Sequence, residues 1–305
     1  MSERERLRTR IGQLHLDNPI LSASGTYGSG KEFADFYDIG KLGGVVTKSV
    51  TPSATRGNPP PRIAETPSGM LNAIGLQNEG LDFFLAELLP PLRASAKRVI
   101  VNAAGKCEDD YVELVSRLAA APIDAIEVNI SCPNVKKGGI AFGVYPEVSS
   151  ALVGKLKRVS GDMPLWIKLT PNVGDIVSVA RAVADAGGDA IVAINTLVGM
   201  AVDIETRKPI LANVTGGLSG PAIHPVALRM VWQIARAVSC PVIGVGGVRS
   251  VREAVAFLLV GASAVQVGAM NFVEPGIGAR LVDDLDDWLR EHGETVSAII
   301  GTLEA

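Results

Sequence analysis

The feature that most limits how this chain folds is its rhythm. Short apolar, β-branched runs alternate with amphipathic windows of helical period along nearly the whole length. The runs are Pro19–Ser24, Gly43–Lys48, Arg98–Ala103, Ala125–Ser131, Pro164–Leu169, Ala190–Thr196, Pro241–Gly246 and Ala264–Gly268. Most are continuously apolar rather than alternating, as parallel strands covered on both faces must be. Two of the intervening windows carry explicit helix signals. Asp175 is placed to cap Ile176, Val179, Ala180, Val183 and Ala184, with Gly187-Gly188 as the stop. Ser250 and Glu253 form a capping-box pair before Val251, Ala254, Val255, Leu258 and Leu259, ended by Gly261. Eight β-then-α units in 305 residues predict an α/β chain folded as a TIM (β/α)8 barrel. Strand order is invisible in a sequence, so a doubly wound sheet is the alternative.

Two stretches break the rhythm. Thr51–Asn78 contains Pro52, Pro59, Pro60, Pro61 and Pro67 and reads as a long loop over the barrel mouth. Met200–Asn213 reads as a second insertion, a candidate hairpin. With the N-terminal extension they decorate one domain spanning residues 1–305, since no linker, repeat or low-complexity tract interrupts the chain.

Composition narrows the function classes. Hydrophobic residues make up 47% of the chain and aromatics only 5%, so the core is built from Ala, Val, Ile and Leu. A net charge of −3 argues against nucleic acid as a partner, because phosphate binding needs a basic surface. The longest apolar stretch, Ala254–Met270, is broken by Gly261, Ser263, Gln266 and Gly268 and falls short of the ~20 residues of a membrane helix. The N-terminus has no apolar signal core. Three cysteines, Cys107, Cys132 and Cys240, are too few for a disulfide scaffold or an iron–sulfur cluster and fit a reducing cytoplasm.

Catalytic groups of such a barrel come from the C-terminal ends of its strands. Those ends offer Ser24, Lys48, Ser49, Asn102, Asn129, Cys132, Asn134, Lys168, Asn195 and Thr196, followed by Gly246-Gly247 and Gly268-Ala269. Any one of these amides or hydroxyls is explained by helix capping, but their coincidence over nearly every strand is not. The glycines after the seventh and eighth runs lie where this fold binds phosphate. Lys48 and Lys168 suit either Schiff-base chemistry or fixed cations for a carboxylate or a cofactor ring. Cys132 lies among amides in a loop with Gly138, Gly139 and Gly143, and no histidine motif accompanies it. A thiol general acid or base therefore fits better than a Cys–His nucleophile. Cys107 and Cys240 are expected to pack as small apolar side chains. No histidine or carboxylate cluster marks a metal site.

Ala23-Ser-Gly-Thr, Thr47-Lys-Ser, Asn72-Ala-Ile-Gly-Leu-Gln-Asn78, Asn129-Ile-Ser-Cys-Pro-Asn134, Ile167-Lys-Leu-Thr-Pro-Asn172 and Val245-Gly-Gly-Val248 closely resemble class 1 dihydroorotate dehydrogenases, in family order from about Gly12 to Phe272. The resemblance implies an FMN-containing barrel that oxidises dihydroorotate to orotate in pyrimidine synthesis. The wording of Asn72–Asn78, and Gly138-Gly139 followed by Phe142-Gly143, resembles subclass 1B. That subclass forms a homodimer inside a heterotetramer, with a partner subunit that carries FAD and a [2Fe–2S] cluster and passes electrons to NAD.

Carried over motif by motif, the resemblance gives Ser24, Lys48, Ser49, Asn102, Asn129, Lys168, Ile194, Gly220, Gly246, Gly247, Gly268 and Ala269 to FMN. It gives Lys48, Asn72, Ala73, Ile74, Gly75, Leu76, Asn129, Asn134, Asn195 and Thr196 to dihydroorotate. Cys132 takes the C5 proton, and Lys168 lies near flavin N1 and O2. Ala269 departs from the Thr that more often follows this Gly. Three neighbouring activities share parts of the pattern: a dihydropyrimidine-type dehydrogenase, a fumarate-dependent class 1A enzyme, and a flavin-dependent tRNA-modifying barrel, which the acidic pI of ≈ 5.7 disfavours.

Overall fold

The computed structural model describes residues 5–131 and 142–304. All eight apolar runs form parallel strands: β1 (Ile20–Ser22), β2 (Val45–Val46), β3 (Val99–Ala103), β4 (Ala125–Asn129), β5 (Leu165–Lys168), β6 (Ala190–Ala193), β7 (Val242–Val245) and β8 (Ala262–Val267). From β2 onward each pairs with the next in chain order, and β8 pairs back onto β1, with Val265 opposite Ile20. The ring closes between β1 and β2 through a Leu21–Gly44 bridge, where Ser22 N–H donates to Gly44 O at 3.3 Å. This is a TIM barrel, and the doubly wound alternative is excluded by the strand order.

A helix follows every strand: α1 (Lys31–Ala34), α2 (Leu89–Ser95), α3 (Glu108–Ala119), α4 (Pro146–Ser160), α5 (Ile176–Asp185), α6 (His224–Ala235), α7 (Val251–Leu259) and α8 (Ile277–His292). The expected caps are present. Asp175 accepts from the Val177 and Ser178 N–H groups at the start of α5. Glu253 reaches back to Ser250 N at 2.9 Å before α7. The strands are buried on both faces because the helices cover the outside while Leu21, Val46, Ile100, Trp166, Val192 and Ile243 fill the inside. Ile11 and Leu16, from a hairpin of Thr9–Ile11 and Leu14–Leu16, join that inner cluster. Thr9 Oγ1 donates to Ser263 O at 2.8 Å near the start of β8, so the N-terminal extension plugs the end of the barrel opposite the strand C-termini.

The two insertions differ from expectation. Residues 51–78 do not form a simple loop. Ile63–Thr66 and Gly69–Asn72 make a hairpin, and Ser53–Thr55 pairs with Asn78–Gly80. The second insertion supplies Leu197–Met200 and Thr215–Ser219, and the four longer strands combine into one antiparallel sheet. The expected hairpin within 200–213 exists as Val202–Asp203 against Lys208–Pro209, but it is only the tip of this larger structure. The strands are two to five residues long and interrupted by proline, so no alternation builds up locally to reveal them. Because they follow β2 and β6, they stand at the C-terminal end of the barrel.

Candidate active site

The C-terminal ends of the strands replace the apolar filling of the barrel with one connected polar layer. Lys168 ends β5 with its side chain inward and its ammonium 3.0 Å from Ser24 Oγ, 3.1 Å from Glu127 Oε1 and 3.4 Å from Gln266 Oε1. Glu127 also accepts from Asn102 Nδ2 at 2.6 Å and from Gln266 Nε2 at 2.5 Å. Ser49 Oγ in turn donates to Asn102 Oδ1 at 2.5 Å. Four of the expected residues, Ser24, Ser49, Asn102 and Lys168, thus belong to one network. Its centre, Glu127, and its bridge, Gln266, are functional candidates that strand-end reading missed. Their signal is a charged or amide side chain at an inward position of an otherwise apolar strand.

Above this layer stand the amides. Asn129 ends β4; its Oδ1 accepts from Ser131 N at 3.1 Å and from Asn195 Nδ2 at 3.3 Å. The Asn129 carbonyl takes the Tyr111 hydroxyl at 2.7 Å, which fixes its backbone from the α3 side. Asn172 Nδ2 holds Thr196 O at 2.9 Å. The Asn72–Leu76 segment is clamped rather than loose. Asn58 Nδ2 donates to Ala73 O at 2.9 Å, Asn58 N to Ile74 O at 3.0 Å, and Asn78 Nδ2 to Leu76 O at 2.7 Å. Gly75 and Leu76 both adopt positive φ, a turn that points their backbone away from the strand direction.

Lys48 follows β2 and is half-buried, with its backbone N–H donating to Gly28 O at 2.8 Å. Burial, then the nearby Arg62 guanidinium, push its pKa below the ordinary lysine value against the opposing pull of Glu32 and Glu79. A second cation beside it was not expected; Arg62 comes from the insertion, which sequence reading left as loop.

The Gly246-Gly247 corner requires glycine for a packing reason. The two residues have φ of 139° and 71°. A Cβ on Gly246 would come within 2.6 Å of Ala227 Cβ, and one on Gly247 within 2.7 Å of His224 Cβ and 2.9 Å of Gly220 O. The chain after β7 therefore lies directly on the first turn of α6. His224 Nδ1 meets Gly246 O at 3.0 Å, with its ring edge-on to Phe257. Sequence reading assigned His224 no role. Ile194 is buried, and its N–H donates to Val245 O at 3.1 Å, one residue before this corner. By contrast, a Cβ on Gly268, ahead of the 3-10 turn Ala269–Phe272, would meet only Ala23 Cβ, at 3.6 Å. No packing contact among the described residues demands glycine there.

Comparison with known proteins decides the family. The dihydroorotate dehydrogenase family model matches residues 6–289. The chain belongs to the dihydroorotate dehydrogenase family. It is 51% identical over 300 residues to a protein named dihydroorotate dehydrogenase B (NAD(+)), catalytic subunit, of Pelobacter propionicus, covering 98% of both chains. The protein of the same name from Trichlorobacter lovleyi is 52% identical over 300 residues, again 98% of both chains, and that of Bacteroides thetaiotaomicron is 49% identical over 302 residues, 98% of this chain and 99% of the relative. These names agree with the subclass 1B resemblance read from the motifs.

Within this family frame, two expected site residues, Cys132 and Asn134, lie outside the described residues. Cys240 is half-buried, and burial raises its thiol pKa to about 11. Cys107 departs from expectation: it is exposed at the N-cap of α3, because a residue just outside a helix's first turn faces solvent rather than the core. Among the described residues no helix is long and apolar enough to cross a membrane.

Proposed function

We propose that the chain is the catalytic subunit of a dihydroorotate dehydrogenase that oxidises dihydroorotate to orotate at this barrel mouth and delivers the electrons to NAD through a partner subunit. The observation that carries the reading is the polar layer around Lys168, set beneath two insertions that join over the mouth, in a chain half-identical to relatives so named.

The residues fit FMN. Lys168, Ser24, Asn102 and Asn129 present a cation and hydrogen-bonding groups of the kinds that a flavin ring edge uses, with Ser49 and Ile194 behind them. Gly220, Gly246 and Gly247 form a backbone corner at the N-terminus of α6, where a helix attracts phosphate. Gly268 and Ala269 leave open backbone beside it, so a missing hydroxyl at Ala269 costs nothing if phosphate is bound through N–H groups. Bound FMN supplies the hydride acceptor for C6 of the substrate.

The chain's own residues bind and deprotonate the substrate. Lys48, with Arg62 nearby, meets the carboxylate by charge-assisted hydrogen bonding. Asn72, Ala73, Ile74, Gly75 and Leu76 cover the ring from the first insertion, while Asn129, Asn134, Asn195 and Thr196 present donors and acceptors to its amide edges. Cys132 as thiolate removes the C5 proton. With loss of the C6 hydride, the C5–C6 double bond of orotate forms and the two electrons are accounted for.

The partner carries FAD and a [2Fe–2S] cluster, for which this chain's three cysteines do not suffice, and two of each subunit assemble around a dimer of this chain. The test is purification of the native complex from cells. Co-purification of an iron–sulfur flavoprotein, with NAD reduced by dihydroorotate only when it is present, is the expected result. Fumarate-driven turnover by the lone chain contradicts the subclass.

A further inference from the structure

The eight barrel strands hold only two charged residues, Glu127 and Lys168, and these two touch. Both are buried, with side chains 0% and 4% exposed. A buried ion pair is poor evidence of stabilisation, because desolvating both charges offsets their attraction and an apolar pair of similar volume often serves the fold better. Its presence at the floor of the proposed flavin site therefore calls for another role.

The hydrogen-bond pattern suggests one. A carboxylate only accepts, so Glu127 forces Asn102 and Gln266 to turn their NH2 groups toward it. Asn102 is then left to accept from Ser49, and Gln266 Oε1 to face the Lys168 ammonium. With Ser24 Oγ and Glu127 Oε1, the three N–H donors of Lys168 each have a partner within the protein. The ammonium is fixed in place, and a full negative charge lies 3.1 Å behind it.

The geometry points to Glu127 as a positioning residue that aims Lys168 and partly cancels its charge, thereby setting how readily the bound flavin accepts electrons. The inference rests on the proposed reading that FMN lies against Lys168. A flavin gains negative charge on reduction. An unopposed lysine at this depth would favour the reduced form strongly, because low-dielectric surroundings magnify a lone charge. The paired lysine favours it less, which keeps the flavin able to pass its electrons on.

The test uses the FMN-loaded chain and measures sulfite affinity and the two-electron midpoint potential by anaerobic dye titration. Glu127→Gln removes the charge and keeps the shape. Its sulfite dissociation constant should fall about tenfold or more, and its potential rise by the corresponding ~30 mV or more for a two-electron couple. Glu127→Asp keeps the charge but withdraws it by one methylene, and should fall between wild type and Glu127→Gln. The order wild type, Asp, Gln in rising potential supports the role. If Glu127→Gln releases its flavin, a smaller upward shift in Glu127→Asp still supports it. An unchanged or lowered potential in the FMN-loaded variants overturns it. A wild-type chain that binds no flavin contradicts the functional reading itself, a result distinguishable from failure of the Glu127 role alone.

Discussion

Asn72 and Gly217 stand opposite each other in antiparallel register, and the Asn72 amide donates to Gly217 O at 3.3 Å. The pair joins the segment after β2 to the segment after β6, so two insertions far apart in sequence become one sheet over the barrel mouth. Gly217 also touches the site from behind: a Cβ added there would come within 2.1 Å of Thr196 Oγ1 and 2.7 Å of Thr196 Cβ.

That contact gives the first prediction. Gly217→Ala must push Thr196 from its place beside Asn195, while the flavin-side residues are untouched. The KM for dihydroorotate should rise roughly tenfold, a loss of about 1.4 kcal/mol in binding, with flavin content unchanged. Steady-state kinetics with an artificial electron acceptor measures it. An unchanged KM removes Thr196 from the substrate site.

Lys48 should show itself through both mutation and pH. Losing a charge-assisted bond to the substrate carboxylate in Lys48→Ala should cost about 2 kcal/mol, or about 30-fold in orotate affinity. Burial and Arg62 lower the pKa of Lys48, so its proton is lost at a pH below the ~10.4 of free lysine. Orotate binding by the wild type should accordingly weaken as pH rises through that lowered value. Spectral titration of bound flavin with orotate across alkaline pH reads both effects. A Lys48→Ala variant that binds orotate as tightly as wild type assigns the carboxylate to another group.

At the glycine corner, Gly247→Ala places a Cβ at φ 71° and within 2.7 Å of His224 Cβ. Strain of this kind costs about 1–3 kcal/mol, and here it also displaces the first turn of α6. The variant should melt at lower temperature than wild type and retain less FMN after gel filtration. Wild-type FMN retention in a correctly folded variant separates the corner from the cofactor.

The barrel was legible because its signal is local and repeated. Most strands, such as Ala190–Ala193, are apolar along nearly their whole length, and two of the helices carry their own cap and stop, as α5 does with Asp175 and Gly187. The insertion sheet was not legible, because its strands gain their partners across long separations, as Asn72 does with Gly217. The site was half legible. Lys168 and Asn129 stand at strand ends, where any barrel displays its chemistry. Glu127 lies two residues deeper, and its role depends on inward orientation and on Asn102 and Gln266 from other strands. Arg62 was hidden for the same reason as the sheet it leads into.

The most direct test is anaerobic mixing of the purified, FMN-loaded chain with dihydroorotate, following loss of the flavin's visible absorbance from pH 6 to 10. The account predicts that wild type bleaches fully with one orotate formed per flavin, and that the rate climbs with pH as the Cys132 thiol, ordinarily near pKa 8.5, becomes thiolate. Cys132→Ala should keep flavin and orotate binding but bleach ~10²–10⁴ more slowly, the usual contribution of a positioned base. A wild-type chain whose flavin dihydroorotate does not bleach, or a Cys132→Ala variant that bleaches at the wild-type rate and pH profile, would contradict it.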